Sequence, residues 1–66
     1  MTASVWHDTP NGARNAKAEP LEAEGWMLVE FSDGFKMMPP ENSRAQPRAF
    51  VISYSEVRGQ YRAVKI

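Results

Sequence analysis

The chain has 66 residues, a formal net charge of zero, no cysteine and a single histidine, His7. A chain of this length makes one small domain, burying only about 60% of its unfolded surface, and its stability is marginal. Disulfide and metal staples are excluded by composition, which leaves tight packing or association with a second copy or a larger protein as the source of stability.

No stretch approaches the roughly 20 apolar residues needed to span a bilayer. The N-terminal residues Met1 to Asp8 have neither a basic nor an apolar leader region. The expectation is a soluble, cytoplasmic chain with no membrane partner, and the lack of cysteine fits a reducing compartment. Charge is unevenly spread. Asp8, Glu19, Glu22, Glu24, Glu30 and Asp33 against Arg14 and Lys17 give residues 1–33 a net charge of −4. Lys36, Arg44, Arg48, Arg58, Arg62 and Lys65 against Glu41 and Glu56 give residues 34–66 a net charge of +4. Such a dipole steers a charged partner, or the two halves neutralise each other in the fold.

Residues 1–25 read as an irregular segment with a short helical turn. Thr9-Pro10-Asn11-Gly12 is a turn signal, because proline presets φ and Asn-Gly tolerates a positive φ. Ala3 to His7 ahead of it suits a short edge strand. Ala13 to Ala18 has helix-forming composition, but Pro20 opposes a straight helix from Ala13 to Glu24, since interior proline costs about 3 kcal/mol. The expected helical turn therefore starts at Pro20, runs through Glu24 and closes on Gly25 in the left-handed conformation.

Residues 26–66 read as two β-hairpins. Around a three-residue Ser32-Asp33-Gly34 loop with Gly34 as a G1 bulge, Phe31 faces Phe35, Glu30 faces Lys36, Val29 faces Met37 and Leu28 faces Met38. A two-residue Asp33-Gly34 loop gives poorer cross-strand pairs. The same rule applied to Val57-Arg58-Gly59 places Phe50 opposite Ile66, Ile52 opposite Val64 and Tyr54 opposite Arg62. The connector Pro39 to Pro47, with three prolines, reads as an exposed loop. The expected fold is a small α+β or mainly β domain of two G1-bulge hairpins, four strands or five with Ala3 to His7; a curled SH3-like meander and a flat sheet both fit.

Function is less legible. His7 has no partner placed to orient it, Glu22 and Glu24 are acids of an exposed turn, and no metal-ligand spacing occurs, so the chain reads as no enzyme and without a cofactor. The first hairpin is apolar on both sides, with Met27, Val29, Phe31, Phe35 and Met37 on one face and Trp26, Leu28 and Met38 on the other. That excess makes Trp6, Trp26 and Met38 candidate protein-binding anchors, unless the N-terminal segment covers the second face with Val5, Trp6 and Leu21, the reading favoured for Trp26. A non-enzymatic module acting by occupancy follows, a stoichiometric inhibitor or adaptor for a larger protein, with self-association as a further option. Small size, mixed charge and the lack of a cofactor suggest, by analogy, a phage or other mobile element as its source. The alternative is nucleic-acid binding by the basic second half, through Arg44, Arg48, Tyr54, Arg58, Tyr61, Arg62 and Lys65, residue types that neutralise phosphates and stack on bases.

Overall fold

In the computed structural model, which describes residues 5–66, one helix lies across one face of a four-stranded antiparallel sheet. The elements are α1 (Pro10–Glu22), β1 (Met27–Phe31), β2 (Gly34–Met38), β3 (Arg48–Ser55) and β4 (Gln60–Lys65). The strands lie side by side in chain order, so the sheet is open, with β1 and β4 as its edges. One helix and an open sheet make this a small α+β fold, and no SH3-like closure is shown. Ala3 and Ser4 of the expected fifth strand lie outside the described residues. His7 makes a single antiparallel bridge to Tyr61, with amide-to-carbonyl distances of 2.8 and 2.7 Å in the two directions.

The helix is a correction to the sequence reading, which placed only a turn at Pro20 to Glu24. Thr9 is the N-cap, in extended conformation, and its Oγ1 accepts a hydrogen bond from the Gly12 amide at 3.0 Å. Pro10 follows at the first helical position, where its missing N–H costs nothing. The residues that signal a turn are also those that begin a helix. Pro20 sits inside the last turn and is exposed. The penalty is tolerated because Ala13, Ala18 and half-buried Leu21 bring the helix onto the sheet. Pro20→Ala is therefore expected to raise stability by about 1–3 kcal/mol, read as an increased urea midpoint, because it restores an intrahelical bond. An unchanged or lower midpoint contradicts this. The chain leaves the helix as expected through Gly25, at φ 95°.

Both hairpin registers differ by one residue from the expected ones. In the first, Phe31 pairs with Gly34, Glu30 with Phe35, Val29 with Lys36, Leu28 with Met37 and Met27 with Met38. The loop is thus Ser32-Asp33 alone, and Gly34 does not adopt a positive φ. The reason lies in β3. Phe35 pairs with Phe50, and their rings stack at 4.9 Å between centroids, 17° from parallel. A one-residue slip moves a strand's whole apolar set to the other face, and the observed register brings Leu28, Phe35 and Met37 together under the helix. Gly34 allows β3 to approach, since a Cβ there would lie 2.0 Å from the Phe50 carbonyl oxygen.

In the second hairpin the loop is Glu56 to Gly59, and Phe50 pairs with Lys65, Ile52 with Ala63 and Tyr54 with Tyr61. Gly59 has the expected positive φ, 63°, and its amide bonds the Ser55 carbonyl at 2.7 Å. This register places small Ala63 in the layer on which α1 packs. The connector, residues 39–47, is irregular and is exposed from Glu41 onward, as its prolines predict. Trp26, Phe35, Met37 and Phe50, with Ala18, form the core.

Candidate binding surfaces

Strand alternation divides the sheet into a face packed against α1 and an outer face on which, among the described residues, no other element lies. With the observed register, Met27, Val29, Phe31, Met38, Val51 and Val64 all project to the outer face. Met27 is 63% exposed, Val29 and Phe31 42% each, and Val64 36%, whereas Met38 and Val51 are half-buried. A β-sheet face this apolar ordinarily packs against another layer. The polar side chains sharing this face from the strands are Lys36, Ser53, Ser55, Gln60 and Arg62, none of them acidic.

Beyond Val64, towards the β3–β4 loop, lies a cationic and aromatic cluster. Trp6 is half-buried beside β4, with the guanidinium of Arg62 4.7 Å from its ring centroid and that of Arg58 5.1 Å away. The Arg62 Nε is buried without a hydrogen-bond partner among the described residues, which leaves the cation–π contact with the indole as this guanidinium's recorded interaction. The opposite side of the same strands carries the Tyr54–Tyr61 pair, at 4.9 Å between centroids. Gln60 donates to the Asp8 carboxylate at 3.0 Å, tying the N-terminal segment to the β4 edge.

The anchors expected from sequence are therefore distributed unequally. Met38 lies on the outer face and Trp6 at its margin, but Trp26 is 9% exposed, in the core, with Arg48 stacked 5.0 Å above it. Trp26 is covered by the chain itself and is not an accessible anchor. Met27, Val29, Phe31 and Val64 were missed as surface residues because the expected register put the first three on a shared face with Phe35 and Met37. The signal was present in the surplus of apolar residues over one sheet face.

The basic residues of the nucleic-acid reading do not form one stripe. Arg48 and Lys65 stand at one end of the sheet on the helix side, Arg58 and Arg62 at the other end around Trp6, and Arg44 is exposed in the connector. Arg62 and Lys65, about 10 Å apart along β4, point to opposite faces of the sheet, and Arg48 lies about 17 Å along β3 from the residue that faces Arg62. Nor, among the described residues, do the two halves of the chain neutralise each other by direct pairing. Among the described residues the one ion pair joins Arg14 to Glu30, both from the acidic half. Comparison with protein families, with curated proteins and with solved structures finds no match.

Proposed function

We propose that this chain is a non-enzymatic binding module of the cytoplasm, whose outer sheet face docks onto a larger protein and acts by occupying it, as an inhibitor or adaptor does. The observation behind the reading is the apolar outer face, with Met27, Val29, Phe31 and Val64 all exposed while α1 covers only the other side. The chemistry of the face also points to its occupant. Its charges are Lys36 and Arg62, with no acidic strand residue beside them. A second copy of the same face offers them only the Asp8 carboxylate, already held by Gln60, whereas an apolar surface edged with Asp or Glu satisfies both.

Capture from native lysate on immobilised protein tests this, comparing wild type with Val29→Glu, with and without nuclease. The expected result is a protein retained by wild type after nuclease and bound about 30-fold more weakly by the variant, corresponding to roughly 2 kcal/mol for an anchor. The nucleic-acid alternative has its own support in the two guanidinium groups, Arg58 and Arg62, that lie over the Trp6 ring. Loss of capture on nuclease treatment, or on Arg58→Glu and Arg62→Glu but not on Val29→Glu, contradicts the protein-docking reading in favour of that one.

A further inference from the structure

On the helix side of the sheet, remote from the outer face, an open cleft of about 460 Å³ lies between the second half of α1 and the end of the sheet formed by the start of β3 and the end of β4. Its floor includes Phe50, which is 6% exposed, and half-buried Leu21 forms part of the helix wall. Three cations line it, Lys17 from the helix, Arg48 from β3 and Lys65 from β4, and no carboxylate does. None of the three makes an ion pair among the described residues. The pairing of Phe50 with Lys65, and the two-residue step from Phe50 back to Arg48, put both sheet cations on the same face as the ring.

We propose that this cleft binds a small phosphate monoester with a flat apolar body, of mononucleotide size. Like charges gathered round one cleft repel, and a dianionic head group relieves that repulsion while accepting hydrogen bonds from all three side chains. The Arg48 guanidinium supplies the planar fork that suits phosphate, and the lysines supply point charges. Leu21 and the edge of Phe50 give the body of the ligand an apolar surface to lie on. The volume is within the range of small-ligand sites, about 300–1,000 Å³, and far exceeds what a bare phosphate requires.

The site does not depend on the outer face, and the two readings fail separately. Chemical-shift titration of the full chain with AMP, adenosine and inorganic phosphate tests it, on wild type and on Lys17→Gln/Lys65→Gln. AMP is expected to give saturable shifts at Lys17, Leu21, Phe50 and Lys65. Adenosine and inorganic phosphate should each bind at least about tenfold more weakly than AMP, as should AMP to the double variant, consistent with the loss of charge-assisted hydrogen bonds. Unchanged Phe35 and Met37 signals in the variant establish that its core is intact. Adenosine binding as tightly as AMP, shifts centred on Trp6 and Arg62, or undiminished affinity in the double variant overturns the proposal.

Discussion

Gly34→Ala is expected to abolish the folded state at room temperature. The added Cβ would lie 2.0 Å from the Phe50 carbonyl oxygen and 3.0 Å from both the Phe50 carbonyl carbon and the Val51 Cα. These are backbone atoms of the neighbouring strand and cannot rotate away. Relief requires β2 and β3 to separate, at the seam where Phe35 stacks on Phe50. Overpacking costs typically about 1–3 kcal/mol and more against rigid backbone, while a core of this size rarely supplies more than about 3–5 kcal/mol. Gly59→Ala is the informative contrast. Its φ of 63° strains an L-residue, yet no atom lies within 4 Å of the new Cβ, so the cost is about 1 kcal/mol and the chain stays folded. Urea denaturation followed by tryptophan fluorescence reads both, and a Gly34→Ala protein as stable as Gly59→Ala would show the β2–β3 register to be wrong.

Val29→Glu is expected to separate binding from stability. Val29 is 42% exposed and stands directly opposite Lys36, so a glutamate there gains a cross-strand ion pair of about 0.2–1 kcal/mol that offsets the apolar contact it gives up. The denaturation midpoint should stay within about 0.5 kcal/mol of wild type, the range usual for surface changes. Docking should suffer far more, because the new carboxylate interrupts the apolar face and repels the acidic rim of the partner. A variant that unfolds, or one that docks as wild type does, removes Val29 from the proposed interface.

The parts of the fold that were legible in the sequence rest on local conformational constraints. Gly25 and Gly59, expected in the left-handed region, are found there, whereas Gly34, expected there by the same rule as Gly59, is not; all four strands lie in the segments whose alternation marked them. What was not legible depends on elements distant in sequence. Pairing quality within an isolated first hairpin favours Phe31 opposite Phe35, but the Phe35–Phe50 stack and the helix above it select the register one residue away. Pro20 reads as a helix start when only local cost is counted, whereas burial of Ala13 and Ala18 and the cap at Thr9 carry the helix through it. The candidate surfaces inherit these errors. Met38 and Trp6 were identified from apolar surplus, while Val29 and Phe31 were placed inside by the slipped register and Trp26, expected as an anchor, is held in the core.

In the proposed docking the outer sheet face, and not the helix side or the Trp6 cluster, meets the partner. Methyl cross-saturation from the captured partner to isotope-labelled protein measures this residue by residue. The expected result is strong transfer to the methyls of Met27, Val29, Met38, Val51 and Val64, with none to Met37, which is fully buried on the other side of the sheet. Transfer confined to Leu21 and Ile52, or its absence from the Met27 and Val64 methyls, would contradict it.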